Sequence, residues 1–221
     1  MNIESLNLDE IEGSPIGRMT YDAIAKSIVT GQLKPGEPLS DRQIADALGV
    51  SRTPVRDALH MLVSSGLVAR RGRVGWSVTE FGEQNVKNVY QLRRLLEPAG
   101  FEYLDDWDPA LFDDFSALAH LYDGPPNKDD LSGYLEADRE LHRLFVRASG
   151  NELLGHFYGT VELQIDRIRH FVPSRNWLRI GQSFEEHAEI LSAIADRDAK
   201  RAREALEKHI WAAEQAILDL L

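Results

Sequence analysis

Apolar residues recur at helical spacing through most of the chain, and one short interval breaks that rhythm. Over residues 14–31, Ile16, Ile24 and Ile28 fall on one face and predict a helix. Gly31 and then Lys34-Pro35-Gly36 end it. Ser40, with Gln43 three residues on, has the form of a capping box. The short helix it starts should turn Ile44, Ala45 and Leu48 inward and stop at Gly49. Ser51 is expected to cap the next helix, where Pro54 is tolerated in the first turn. Val55, Ala58, Leu59 and Leu62 form that helix's buried stripe, and Gly66 stops it.

Residues 67–79, LVARRGRVGWSVT, are patterned differently. Two short β-prone runs flank Arg70-Arg71-Gly72-Arg73, which predicts a hairpin with a basic tip. Helix, short helix, helix, hairpin is the order of a winged helix-turn-helix. From about residue 84 the helical pattern resumes and persists to the end. Pro98, Pro109, Pro125-Pro126, Pro173 and the glycines divide it into six or seven segments. The expected fold class is therefore mainly α. A flexible tail over 1–13 precedes a winged helix-turn-helix over 14–80, and an all-α helical bundle occupies 84–221.

Charge sharpens this division. The net charge is −11, yet residues 14–80 carry +3, against −4 for the tail and −10 for residues 81–221. A mildly basic segment on an acidic body fits a nucleic-acid reader better than the total suggests. There are no cysteines, which excludes disulfides, thiolate metal sites and a cysteine nucleophile and suits a reducing cytoplasm. No run of 18 apolar residues predicts a membrane span, and the acidic N-terminus lacks the pattern of a secretory signal. A cytoplasmic location without membrane contact is expected.

The candidate DNA-reading surface is the polar side of GVSRTPVRDALHML, residues 49–62. Arg52, Thr53, Arg56 and His60 share the face opposite the apolar stripe. A helix entering the major groove presents such groups from its N-terminal end, and an arginine fork suits guanine O6/N7 or a phosphate. The first amides of that helix, with Ser51, offer a phosphate grip. Arg42 on the preceding helix should lie near the backbone, and Arg71 and Arg73 on the wing could reach an adjacent groove.

A second constellation lies in the helical half. Asp138 and His142 are four residues apart and share a helix face. His187 and His209 each stand 11 residues from Asp198, on opposite sides of an expected break at Asp196–Asp198. In an antiparallel hairpin the two imidazoles would sit at one height. Three imidazoles and a carboxylate suit Zn, Ni, Mn or Fe(II) with a position left open. The same spacing also fits histidines held as ordinary core residues. Two other uses of such a site are a purely structural ion and a metal-dependent enzyme with Glu186 as base.

The stretch GQLKPGEPLSDRQIADALGVSRTPVRDALHMLVSSGLVARRGRVGWSV resembles the DNA-binding domain of GntR-type bacterial regulators, over residues 15–79. The resemblance implies DNA contacts from Arg42, Arg52, Thr53, Arg56, Arg71, Arg73 and Gly75. Residues 86–213 resemble the FCD ligand-binding domain of the FadR branch, through LRRLLEPAG, DRELHRLFVRASGN and EEHAEILSAIADRDAKRAREALEKHI. That resemblance implies a divalent transition metal, Zn or Ni, on Asp138, His142, His187 and His209. It also places Arg93 toward an effector pocket for a small organic acid, although Arg93 could equally be an exposed arginine paired with Glu97. Pro98 departs from the commoner pattern and could kink the first helix of that domain. The expected protein is a homodimeric transcriptional repressor on a pseudo-palindromic double-stranded operator, and not an enzyme.

Overall fold

The computed structural model describes residues 15–72, 75–122, 130–171 and 177–221. The expected tail over 1–13 and the wing residue Arg73 lie outside them. The described residues form two compact units, divided between Glu80 and Phe81.

The first unit starts with α1 (Pro15–Val29), which packs on α3 (Arg52–Ser64) through Ile24, Ala25 and Ile28. Ile16 is 51% exposed, contrary to the expected stripe. It lies in the first turn, and Thr20 takes the inward place one turn later, its hydroxyl donating to the Ile16 carbonyl at 2.7 Å. Between these helices runs α2 (Asp41–Leu48), started by Ser40, whose Oγ accepts from Gln43 N at 3.3 Å. Gly49 ends it at φ 67°, a conformation costly for any side chain. Of the three residues expected inward on α2 only Ala45 is fully buried. Leu48, at the last position, is 41% exposed. On α3 the buried set is Val55, Ala58, Leu59 and Leu62, as the stripe predicts.

The wing is β2 (Val68–Arg71) antiparallel to β3 (Gly75–Val78), with Val68 and Val78 buried beneath it. A two-residue strand β1 (Pro38–Leu39) completes a sheet of order β1-β3-β2. The sequence reading has no β1, because two residues are too few to show an alternation.

Every element of the second unit is helical among the described residues. α4 (Glu83–Leu96) gives way to 3-10 turns over Glu97–Asp106 with Pro98 at their start. Proline has no N–H for the Arg94 carbonyl, so the α-helix ends where the sequence suggests a kink. α5 (Pro109–Ala119) and α6 (Leu131–Arg147) follow, then α7 (Glu152–Phe171), α8 (Trp177–Ala195) and α9 (Ala199–Leu218). α8 and α9 make the expected hairpin: Arg197 turns the chain at φ 57°, and the Asp198 carboxylate accepts from Arg201 N at 3.0 Å to start α9. Leu141, Phe145, Ile190, Leu206 and Ile210 are fully buried between these helices. The same packing buries charged residues, and those define the site.

Candidate functional site

On the first unit, Ser51, Arg52, Thr53 and Arg56 are all exposed along the start of α3. Arg52 and Arg56 converge on one acid: Arg52 NH2 lies 3.0 Å from both Asp41 oxygens, and Arg56 Nε lies 2.5 Å from Oδ2. Hydrogen bonds from Arg56 and then Arg52 hold the Asp41 carboxyl below its usual range, so it stays ionised. Arg42 is exposed beside Asp46 at 3.9 Å, a loose surface pair. Ser51 occupies the N-cap position of α3, but its side chain makes no cap hydrogen bond, contrary to expectation. Arg71 ends β2 opposite Gly75, where a Cβ would come within 2.8 Å of the Arg71 carbonyl. His60 is drawn from the reading face toward the sheet. Its ring stands edge-on to Trp76 at 4.8 Å, and Arg70 NH2 lies 3.2 Å from its Nε2.

In the second unit, His142 on α6, His187 on α8 and His209 on α9 are buried, and each offers a nitrogen within 4.8 Å of the others. His187 Nε2 and His209 Nε2 are 3.2 Å apart. Asp138, one turn before His142, places Oδ1 3.6 Å from His187 Nε2 and 3.9 Å from His142 Nε2. Its other oxygen meets Arg169 Nε.

Burial drives all three imidazoles to the neutral form. It pushes the pKa of His142 and His187 well below the ordinary value, with Arg93 adding to this at His142 and His209 at His187. His209 is lowered for the same reason, although Glu186 opposes the shift. Asp138 goes the other way. Burial resists its ionisation, but the Arg169 guanidinium, with Arg93 further off, holds its carboxyl well below the usual range. The cluster is therefore three neutral nitrogen donors and one carboxylate, the ligand types for a borderline divalent ion.

The second layer decides which nitrogens are free. Glu186 accepts from His209 Nδ1 at 2.7 Å, and Glu97, ion-paired with Arg93, accepts from His142 Nδ1 at 2.7 Å. A carboxylate can only accept, so the protons sit on Nδ1 and each Nε2 carries a lone pair. His187 Nδ1 is buried without a hydrogen-bond partner. These residues fit a metal ion. Arg93 is buried, not exposed: it binds Glu97 at 2.7 Å and also reaches His142, with NH2 3.1 Å from Nε2. Arg93, His142, His209, Arg169, Arg179 and Ser183 help line a cavity of about 50 Å³.

Residues 16–78 match bacterial regulatory proteins of the gntR family, and residues 88–212 match the FCD domain. The chain belongs to the GntR family, with an FCD effector domain. It is 23% identical to the HTH-type transcriptional repressor RspR of Escherichia coli (strain K12) over 209 residues, covering 92% of this chain and 89% of that one. A solved GntR regulator from Rhodococcus sp. RHA1 superposes with a TM-score of 0.76 at 23% identity, over 94% of this chain and all of its own. The metal-free FCD domain of TM0439 covers 63% of this chain and 95% of its own, with a TM-score of 0.52 at 25% identity. The curated relatives are transcriptional regulators and not enzymes, and so is this GntR protein.

The three histidines named from spacing lie together in this GntR regulator, with Asp138 beside them. Glu186, the base of the enzyme alternative, serves to orient His209: His209 Nδ1 and Arg179 NH2 both donate to its Oε2, each at 2.7 Å. Asp41 escaped the sequence reading, and so did the contact of Glu97 with His142. Asp41 lies 11 and 15 residues from its arginines, and Glu97 lies 45 from His142, so no local periodicity links them.

Proposed function

We propose that this GntR regulator is a homodimeric repressor acting in the cytoplasm, whose hold on DNA is loosened by a small organic acid bound in the FCD domain. One α3 would enter the major groove of each half-site of a pseudo-palindromic operator. Arg42, Ser51, Arg52, Thr53 and Arg56 would contact the duplex, with Arg71, Arg73 and Gly75 on the wing. The repressor sense is supported by the relative RspR.

The convergence of three buried, neutral imidazoles, two of them fixed at Nδ1 by carboxylates, carries the effector half of this reading. Asp138, His142, His187 and His209 would hold the ion, Zn or Ni by ligand type. When bound it supplies a Lewis-acidic anchor for a carboxylate oxygen. Arg93 positions a second fork beside His142 while Glu97 holds it in place. Arg93, Arg169 and Arg179 line the cavity beside the histidines, which favours an anionic ligand such as a carboxylic acid. Such an acid loosens operator binding only as far as it prefers the state that fits DNA poorly, so a tenfold release needs about 1.4 kcal/mol of differential affinity.

Selection of duplexes from a random pool, repeated with chelator and with a panel of short carboxylic acids, tests both halves. An enriched palindromic site that one acid releases, and that chelation renders insensitive to that acid, is expected. Enrichment indifferent to every acid and to chelation removes the effector half, and no enrichment at low salt removes the DNA half.

A further inference from the structure

Asp41 stands outside every residue assigned to DNA, yet it is the ion-pair partner of both arginines that lead α3. Its side chain is 15% exposed beneath them, while those of Arg52 and Arg56 remain 54% and 50% exposed. The donor arithmetic is specific. Arg56 engages Asp41 through Nε, which leaves both terminal nitrogens for the paired acceptors of guanine or a phosphate. Arg52 engages through NH2 alone, leaving Nε and NH1. Asp46 on the same helix differs: it meets Arg42 only at 3.9 Å, and both side chains are mostly exposed.

Two effects follow from a covered carboxylate under two forks. Arginine rotamers that would otherwise be frozen at binding are set beforehand. The acid also cancels one of two positive charges, which weakens the attraction to any phosphate backbone but leaves geometry-dependent base contacts in place. We propose that Asp41 is a positioning residue for sequence discrimination: it orients Arg52 and Arg56 as one unit and raises the ratio of specific to non-specific DNA binding. This rests on the reading that α3 faces the duplex. The competing role is a first-turn acid that only stabilises the N-terminus of α2.

The test uses the full chain, the best duplex enriched from a random pool, and a shuffled duplex of equal length, titrated by fluorescence anisotropy over a salt series. Asp41→Asn should tighten binding to the shuffled duplex and lower the affinity ratio about ten-fold, the scale of one lost bidentate contact. Asp46→Asn removes the same charge from the same helix and should hold the ratio within about two-fold. In an Arg56→Lys background, where the fork that Asp41 holds most closely is gone, Asp41→Asn should change the ratio far less. The proposal is overturned by an Asn variant with an unchanged ratio, by equal losses in the Asp41 and Asp46 variants, or by an undiminished loss in the Arg56→Lys background. If Asp41→Asn does not fold, Asp41→Glu replaces it, since it shifts the charge by one methylene, and a wild-type ratio there overturns the positioning role. A wild-type protein that does not distinguish the duplexes refutes the DNA reading itself, whereas a discriminating wild type with an indifferent variant refutes only the role of Asp41.

Discussion

Glu186 Oε2 lies 2.7 Å from His209 Nδ1 and thereby decides which nitrogen of that ring carries the proton. The contact with His209, followed by Arg179, keeps the Glu186 carboxyl ionised below its usual range despite burial. An ionised carboxylate raises the basicity of the opposite nitrogen and fixes the ring plane. Glu186→Gln should therefore weaken metal binding by about 10–100-fold, the usual effect of losing such a partner. Competition against a chromophoric zinc chelator measures it, and an unchanged affinity would remove Glu186 from the support of the site.

Acid should destabilise the metal-free protein through the same histidines. Each is neutral in the folded state because its pKa is depressed, whereas in the unfolded chain it takes up a proton as the pH falls through about 6.5. Below that point the unfolded state binds more protons, so stability falls with falling pH. Between pH 6.5 and 5.5 the loss should approach roughly 1 kcal/mol for each of His142 and His187 and be smaller for His209, whose shift Glu186 opposes. Asp138 is held ionised well below this window and contributes no slope within it. Urea denaturation of chelated protein at pH 7.5, 6.5 and 5.5 checks the sign. Stability that is flat or rising toward acid would mean that these rings already carry protons in the fold.

Gly100 marks the closest backbone approach to α6. A Cβ there would stand 2.6 Å from the Phe145 carbonyl oxygen and 2.8 Å from the Ala148 Cβ, neither of which can swing aside. Gly100→Ala should push the 3-10 segment off α6, disturb the ring contacts of Phe101 with Trp107 and Phe145, and cost about 1–3 kcal/mol. Gly155, inside α7, has nothing within 4 Å of its virtual Cβ, and Gly155→Ala should gain about 0.5–1 kcal/mol. Denaturation midpoints that move in the same direction for both variants would contradict the close-approach argument.

The legible parts of this chain were those governed by local rules. The α3 stripe, the Gly49 stop and the Asp196–Asp198 hairpin follow from periodicity, positive φ and capping, each confined to a few residues. The histidine cluster was legible because a hairpin converts equal sequence distances into equal heights. What escaped depends on contacts between elements. Asp41 meets α3 from α2, and Glu97 meets α6 from the end of α4. The sequence leaves Arg93 between an effector pocket and an exposed pair with Glu97, and only the fold shows that the pair forms in the interior. The exposure of Ile16 depends on such packing too: it lines a surface groove with Pro54 and Met61 of α3 and does not enter the core.

Two serines in equivalent sequence positions should therefore behave differently. Ser40 Oγ accepts from Gln43 N, so Ser40→Ala should cost about 1 kcal/mol of stability, as for other N-caps. Ser51 occupies the same place before α3, yet its side chain makes no cap hydrogen bond, and Ser51→Ala should shift stability by less than about 0.5 kcal/mol. Its exposed hydroxyl lies at the N-terminus of the helix proposed to face DNA, where a phosphate oxygen could accept its proton. Losing that bond should weaken duplex binding by about 1 kcal/mol without changing sequence preference. Thermal melting and anisotropy on the same two variants separate the effects. A Ser51 variant that melts early but binds normally would show that the hydroxyl serves the helix and not the duplex.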